Sequence, residues 1–231
     1  MLSTLKSMTD TPATPATPDP AARPPARTTY RHGDLRRALL EAGIVLARSG
    51  GPDAVVLREA TRQAGVVPNA AYRHFGSRDE LLKAVRAAAL SASAAAMEAE
   101  LATVPANLPA GDAARARLRA IGTGYLRFAQ AETGLFRTAY SASDDFGNPA
   151  GDPARAGPGG LNPFQLLGAS LDQMVAAGLL PQERRPGAEF LAWSAVHGLA
   201  MLVLDGPLGG VLGAQMQAIG QRLLDMVERG I

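Results

Sequence analysis

The chain of 231 residues contains no cysteine, and only 5% of its residues are aromatic. The absence of cysteine excludes disulfides, thiolate nucleophiles and cysteine-ligated zinc or iron–sulfur sites. With 47% apolar residues the chain can still bury a core, but that core must be mainly aliphatic. No apolar run approaches the ~18 residues of a membrane-spanning helix, and the N-terminus has no apolar signal-peptide segment. We therefore expect a cytoplasmic protein without a membrane span.

Patterns typical of β-strands are also missing. Runs of β-branched residues are rare, and no alternating segment is bounded by hairpin turns. Apolar residues recur instead at spacings of three and four, in segments rich in alanine, leucine and arginine. The sequence therefore predicts an all-α fold.

Motifs that carry enzymatic chemistry are scarce as well. The sequence has no G-x-S-x-G element and no phosphate-binding loop. Asp144 and Asp145 could form a catalytic or metal-binding pair, but Ser143–Gly160 is rich in glycine and proline and offers no rigid element to hold two carboxylates in register. We therefore predict no catalytic residue, no metal and no cofactor. An enzyme that uses Asp144, Asp145 and His197 remains an alternative.

The net charge of +2 is distributed unevenly along the chain. Arg23–Arg86 carries twelve basic and six acidic residues, whereas Ala87–Ile231 carries ten basic and thirteen acidic residues. A basic segment beside an acidic body is typical of proteins that bind duplex DNA, because basic side chains displace counterions from phosphates. Solvated arginines are the alternative interpretation.

Residues Val55–Arg86 have the pattern of a helix-turn-helix followed by a longer helix. Leu57–Gln63 is predicted to be a short amphipathic helix, and Gly65 tolerates the left-handed conformation that a sharp turn needs. Pro68 suits the first position of a helix, so a second short helix should begin near it and reach Phe75.

A long helix is predicted to follow over Arg78–Leu101, since its alanine-rich sequence favours helix intrinsically. Ser77 can cap this helix, and Glu80 stands at the capping-box spacing. This helix would connect the helix-turn-helix to the rest of the chain.

These motifs resemble the DNA-binding domain of the TetR (tetracycline-repressor-like) transcriptional regulators. The resemblance rests on Ala64-Gly65-Val66, on Tyr72-Arg73-His74-Phe75 and on Ser77-Arg78-Asp79-Glu80-Leu81-Leu82, while Trp193…His197-Gly198 is similar to the WHG-type C-terminal domain of one branch of the family. Val67 stands where family members often have a hydroxyl residue that caps the recognition helix, and Asn69 stands where glycine is common.

The resemblance implies a regulator, a repressor in particular, that binds double-stranded operator DNA and releases it when a small effector binds. The residues expected to contact DNA are Arg58, Pro68, Asn69, Ala70, Tyr72, Arg73, His74 and Arg78. Pro68, Asn69 and Ala70 correspond to base-facing positions. Tyr72 and His74 correspond to phosphate-contacting positions, and Phe75 to a buried anchor.

Composition divides the chain into three parts. Residues 1–29 are rich in proline, alanine and threonine and are predicted to be a disordered arm. Residues 30–78 would form the DNA-binding domain, opened by a helix over His32–Ser49, and residues 79–231 a helical domain for effector binding and dimerisation. In this last part, helices are predicted over Asp112–Ala131, Thr133–Ser143, Asn162–Gly178, Gly187–Leu204 and Val211–Val227.

Apolar and aromatic side chains of these helices are the candidates for lining an effector cavity. They are Leu118, Ile121, Tyr125, Phe128, Phe136, Tyr140, Phe164, Met174, Trp193 and His197. Such a lining predicts a small apolar effector, and plain core packing is the alternative for each residue.

The last two helices have apolar residues on both faces, which predicts a homodimer held by a four-helix seam. A core within one subunit is the alternative. A dimer is also expected because one short recognition helix contacts only a few base pairs, whereas a palindromic operator offers two half-sites. A sequence-tolerant DNA-binding protein without an effector is the alternative function, although such proteins are strongly basic throughout.

Overall fold

The computed structural model describes residues 32–141, 152–212 and 215–231, and every regular element in these ranges is helical. The α-helices are α1 (His32–Gly50), α2 (Leu57–Gln63), α3 (Pro68–Ala71), α4 (Arg78–Leu101), α5 (Ala110–Ala131), α6 (Thr133–Ala139), α7 (Pro163–Ala176), α8 (Ala188–Leu204), α9 (Gly209–Leu212) and α10 (Met216–Gly230). Short 3₁₀ turns lie at Pro52–Ala54, Pro153–Arg155 and Gln182–Arg184. The all-α prediction is confirmed. The predicted arm over residues 1–29 and the pair Asp144 and Asp145 lie outside the described residues.

Helix α4 begins as predicted, because side chains bond the amides at its N-terminus. The Ser77 hydroxyl accepts a hydrogen bond from the Glu80 N–H (3.2 Å), and the Glu80 carboxylate accepts one from the Gly76 N–H (2.7 Å). The carboxylate therefore reaches one residue further back than in a capping box, where it would bond the cap residue itself.

Helix α3 is shorter than predicted. Regular helix ends at Ala71, and turns carry the chain to Phe75, whose N–H still bonds the Ala71 carbonyl (2.9 Å). Val67, just before the helix, has no side-chain acceptor with which to cap it. Short helices depend on tertiary packing, and here buried Ala71 and Phe75 supply it. Phe75 is the buried anchor that was predicted.

The C-terminal helices follow the predicted order with three corrections. Helix α5 begins at Ala110, so Asp112 lies inside its first turn and does not cap it. Helix α6 ends at Ala139, well before Ser143. The single helix predicted over Val211–Val227 is two helices: α9 ends at Leu212 and α10 begins at Met216. The glycine-rich sequence there explains this difference, since glycine is about 1 kcal/mol less favourable than alanine in a helix.

Helix α7 confirms the start predicted at Asn162. The Asn162 side chain accepts from the Gln165 N–H (2.9 Å), and the Gln165 side chain accepts from the Asn162 N–H (2.9 Å). This pair is a complete capping box with Pro163 at the first helical position.

One apolar core runs from α1 to α10, and α4 passes through its middle. Helices α4 and α5 cross closely at Gly124, where a Cβ atom would lie 2.6 Å from the Met97 Cα. Helices α5 and α7 pack against α4, helices α8 and α10 pack against α5 and against each other, and a cavity lies between these helices. In the described ranges, no helix is both long and apolar enough to cross a membrane.

Candidate nucleic-acid interface and ligand cavity

The recognition helix and the turn after it present polar side chains to solvent. Asn69, Tyr72 and Arg73 are exposed, while Ala70 and His74 are half buried. Pro68 is the first residue of the helix. These residues follow one another directly, so the structure brings six of the eight predicted DNA contacts together.

Arg58 adds an exposed basic side chain from α2, the other helix of the motif. The Nε of neighbouring Arg62 donates a hydrogen bond to the Glu59 carboxylate (2.9 Å). This hydrogen bond lowers the pKa of the Glu59 carboxyl and raises that of the Arg62 guanidinium. Arg58 therefore lies beside an ion pair on the exposed face of α2.

Arg78 holds the loop before the motif. Its Nε donates to the Val55 carbonyl (2.9 Å) and its Nη2 to the Pro52 carbonyl (2.8 Å), and the side chain is 42% exposed. These bonds join the start of α4 to the segment that leads into α2. Sequence patterns could not reveal this role, because the two acceptors lie 26 and 23 residues earlier in the chain.

Arg36 is a basic residue near the motif that was not predicted to be functional. Its guanidinium lies over the Phe75 ring, 4.7 Å from the ring centroid. This cation–π contact covers the anchor of the recognition helix and keeps a positive charge beside it. Helical periodicity placed Arg36 on α1 but could not show which ring it would meet.

A cavity of about 290 Å³ lies inside the C-terminal helices. Six of the ten predicted effector residues line it, namely Leu118, Ile121, Tyr125, Tyr140, Phe164 and Trp193. Phe128, Phe136 and Met174 are buried in the core without lining the cavity. His197 lies behind the lining and bonds Tyr125.

Several lining residues were not predicted. They are Arg86, Leu90, Met97, Arg119, Gly122, Ala139, Arg155, Asn162, Pro163, Leu167, Phe190, Ala192, Val196, Leu224 and Val227. On α4, Leu90 follows Arg86 by four residues and Met97 follows Leu90 by seven. Helical spacing therefore places these three residues on one face. That spacing could not tell whether the face meets a cavity or a packed core.

Tyr125, Trp193 and His197 form a hydrogen-bonded group at the cavity wall. The Trp193 Nε1–H donates to the Tyr125 hydroxyl oxygen (3.2 Å), because an indole can only donate. The Tyr125 O–H is then available for His197 Nδ1, 2.6 Å away. Donation from this O–H to Nδ1 requires the neutral tautomer of His197 with its proton on Nε2.

Burial favours the neutral form of each of these groups. It lowers the pKa of His197, which favours the neutral ring that the hydrogen bond requires. It raises the pKa of Tyr125 and of Tyr140 well above the ordinary value, so both hydroxyls stay protonated at neutral pH. The Tyr140 hydroxyl also bonds Ser93 (2.9 Å). The wall therefore offers fixed neutral polar groups.

Phe136 supports this wall from behind. Its ring centroid lies 5.3 Å from that of Tyr125 and 5.0 Å from that of Tyr140, in edge-on and tilted arrangements. Such aromatic pairs are favourable beyond the area they bury. Phe136 thus positions two cavity residues without facing the cavity.

Helix α6 connects the cavity to α1. At its C-terminal end, Ala139 and Tyr140 line the cavity. At its N-terminal end, Glu132 bonds Arg48 of α1 (2.7 Å), and Gly134 packs so tightly that a Cβ there would lie 2.3 Å from the Ala47 carbonyl oxygen. Helix α6 therefore lies between the cavity and α1, against which α2 also packs.

The described residues contain no cluster of three or more histidine, aspartate or glutamate side chains that could hold a metal. His197 faces aromatic rings and the Tyr125 hydroxyl. The arrangement can bind an apolar molecule and present polar side chains to DNA.

Two family descriptions match the chain and together span more than half of it. Residues 39–85 match "Bacterial regulatory proteins, tetR family", and residues 118–227 match "Tetracyclin repressor-like, C-terminal domain". The second range contains Trp193, His197 and Gly198. No curated protein matches the chain.

Solved structures share the fold. A protein of unknown function from Rhodococcus sp. RHA1 is 27% identical with a TM-score of 0.62, covering 89% of this chain and 99% of its own. The TetR family regulator PfmR from Thermus thermophilus is 20% identical (TM-score 0.52, 84% and 98% covered). A TetR-family regulator from Pectobacterium atrosepticum is 20% identical (TM-score 0.53, 88% and 97% covered). With its helix-turn-helix, its helical C-terminal domain and both family matches, the chain belongs to the TetR family of DNA-binding transcriptional regulators.

Proposed function

We propose that this regulator is a homodimeric repressor that leaves a palindromic operator when a small apolar effector enters the cavity. The observation that carries the proposal is the cavity itself, since its walls include α4, which begins at the helix-turn-helix, and α6, which contacts α1. A ligand there would press on both connections to the DNA-binding helices. As a regulator of chromosomal DNA, the protein would act in the cytoplasm.

Regulation of this kind requires that the ligand bind the two arrangements of the protein with different affinities. A ligand that weakens operator binding tenfold must bind the DNA-incompetent arrangement about 1.4 kcal/mol more tightly. By linkage, operator DNA must weaken ligand binding by the same factor. This reciprocity separates a regulatory ligand from an accidental one.

We expect neutral apolar probes such as decanol and phenylbutanol to bind about tenfold or more weakly when operator DNA is present. The operator is first selected from the DNA that flanks the protein's own gene, and the probes are titrated with and without it. A scrambled duplex of equal length is the control. Equal affinities with operator and with scrambled DNA would mean that the cavity does not regulate DNA release.

We also propose that the recognition segment reads bases through Asn69 and binds phosphates through Tyr72. Asn69→Ala should relax preference at one base pair of each half-site and cost about 1–3 kcal/mol, because an asparagine can pair with an adenine edge. Tyr72→Phe should weaken binding to all duplexes alike, since phosphate contacts carry no base information.

Binding of each variant to the operator and to single-base variants of it measures both effects. Gln63→Ala, an exposed change at the end of α2, is the matched control and should leave affinity unchanged. Wild-type affinity and selectivity in both test variants would show that another face of the motif meets DNA. Equal binding to operator and random DNA by the wild type would favour a sequence-tolerant DNA-binding protein.

Dimerisation is proposed through the last two long helices, α8 and α10. In one protomer these helices leave large apolar side chains uncovered: Leu191 is 64% exposed, Leu202 46% and Met226 60%. Gly198 lies on α8, and apart from its own helix backbone no atom of the described residues lies within 4 Å of the position a Cβ would take. Close approach of a partner helix would account for a mid-helix glycine in such an open position.

We propose no catalytic activity. Among the described residues, the best candidate for acid–base chemistry is His197, and its Nδ1 is hydrogen bonded to the Tyr125 hydroxyl, with no carboxylate in that group. Its neighbourhood supports a binding wall.

A further inference from the structure

Two successive valines lie between α2 and α3, and their environments differ. Val66 packs against the apolar core, and its N–H bonds the Thr61 carbonyl (3.0 Å). Val67 is 69% exposed, the highest value among the large apolar side chains of the residues that the structure describes. Core packing therefore accounts for an apolar residue at Val66 but not at Val67.

Val67 immediately precedes α3, in the N-cap position. Its carbonyl accepts a hydrogen bond from the Ala70 N–H (3.0 Å), which belongs to the first turn of the helix. A hydroxyl or carboxylate side chain in this position would also bond a free amide of that turn, and valine cannot do so. A residue that breaks a local rule without a structural gain is expected mainly at functional sites. The exposed valine is therefore better explained by a contact with a binding partner.

The motif places Val67 where a base edge can reach it. In a helix-turn-helix, residues at the N-terminus of the second helix contact base edges in the major groove. Val67 lies two residues before Asn69, which is also exposed. The Cα atoms of residues two apart in sequence are at most ~7 Å from each other, and successive base pairs are ~3.4 Å apart. Val67 can therefore reach a base pair one or two steps from the one that Asn69 reads.

The side chain of Val67 limits what it can recognise there. Base edges in the major groove carry hydrogen-bond donors and acceptors, and their one apolar substituent is the 5-methyl group of thymine. An isopropyl group cannot bond the donors and acceptors, nor can it bond a phosphate. Contact with the thymine methyl group would remove apolar surface of both partners from water, which is favourable. Thymine is therefore the base that this side chain would prefer.

We propose that Val67 reads a thymine in each half-site of the operator through contact with the 5-methyl group of that base. The thymine lies one or two base pairs from the base pair that Asn69 contacts. The proposal rests on the base-reading role proposed above for the recognition segment and adds an apolar specificity residue to it. It does not depend on the cavity or on an effector.

Deoxyuridine tests this contact directly, because it differs from thymidine only in lacking the 5-methyl group. Each thymine of the selected operator is replaced in turn by deoxyuridine, and the affinity of the full-length protein is measured. We expect one position in each half-site where the replacement weakens binding about fourfold, the effect of withdrawing one methyl group from an apolar contact. Replacement in both half-sites should weaken binding about fifteenfold, since the two contacts are equivalent and far apart.

Two variants remove the methyl groups that would contact the thymine. Val67→Ala and Val67→Ser should each bind the thymine and deoxyuridine operators equally well, and both should bind the unmodified operator about as weakly as the wild type binds the substituted one. The hydroxyl introduced by Val67→Ser can cap α3, so the Tm of this variant should stay the same or rise. This second measurement separates a lost DNA contact from a weakened fold.

Val45→Ala is the matched control, because Val45 is also a valine with a half-exposed side chain (51%) but lies on α1. This variant should respond to deoxyuridine as the wild type does. A responsive thymine more than two base pairs from the position at which Asn69→Ala relaxes selectivity would contradict the proposed register.

The outcomes distinguish the thymine contact from the base-reading segment on which it rests. If no deoxyuridine replacement weakened binding by the wild type, the contact would be refuted, whereas relaxed selectivity in Asn69→Ala would still support base reading by the segment. If the response to deoxyuridine persisted in both Val67 variants, another side chain would contact the methyl group and the role of Val67 would be refuted. Equal binding of the wild type to operator and random duplexes would refute both proposals.

Discussion

Gly198→Leu is expected to convert the dimer into a monomer with an intact protomer fold. A Cβ at this position meets none of the described residues within 4 Å, and leucine improves helix propensity, so α8 should form as before. At a two-fold seam, however, the added volume enters the interface from both subunits at once. A monomer presents one recognition helix, so operator affinity should fall towards non-specific binding, about a thousandfold or more.

Sedimentation and operator binding measure the two consequences, and circular dichroism checks the helicity. Ile219→Glu on α10 is a second test, since it places an unpaired charge in the seam from each subunit. Gln173→Leu, which places the same apolar leucine at an exposed position of α7, is the control and should stay dimeric. A dimer in both test variants would place the interface elsewhere, and a wild-type monomer at micromolar concentration would refute dimerisation.

Gly134→Ala is expected to destabilise the protein even though alanine favours helix. The new Cβ would lie 2.3 Å from the carbonyl oxygens of Ala47 and Arg48. Both oxygens belong to the backbone of α1 and cannot rotate away, so α6 or α1 must shift. Overpacking of this kind costs about 1–3 kcal/mol, which corresponds to a fall in Tm of roughly 2–12 °C for a chain of this size.

Thermal unfolding followed by circular dichroism measures this change. Gly168→Ala on α7 is the matched control, because its Cβ would meet nothing nearer than 3.4 Å, the end of the flexible Glu189 side chain. Its Tm should be unchanged or higher. If Gly134→Ala matched this control, α1 and α6 would not be as tightly packed as described. The shifted α6 should also weaken the effect of cavity ligands on operator binding.

The helix-turn-helix could be predicted because its signals are local. Gly65 adopts a φ of +67° in the turn, and Ser77 and Asn162 cap helices by bonding amides three residues later. Each of these interactions lies within a few residues of sequence. The length of α3 could not be predicted in the same way, since burial of Ala71 and Phe75 decides where that helix ends.

The residues that line the cavity could not be predicted from local sequence. Helical spacing placed Tyr125 and Phe136 on apolar faces, but only Tyr125 lines the cavity, while Phe136 supports it from behind. Arg86 and Arg155 have no sequence signal that separates them from solvated arginines. They become cavity residues because a turn 65 residues further along the chain packs onto α4 through Ser91 and Ala156.

The sequence alone therefore determined the all-α fold, the helix-turn-helix and the family resemblance, because periodicity, caps and turn residues act over a few positions. Tertiary structure decided which faces meet, which left a cavity among α4, α5, α7, α8 and α10 and placed α6 against α1. It also assigned Arg78 to carbonyls of the preceding loop. These features depend on contacts between residues far apart in the chain. Helical spacing determines the helix face on which a side chain lies but not the residue that it contacts.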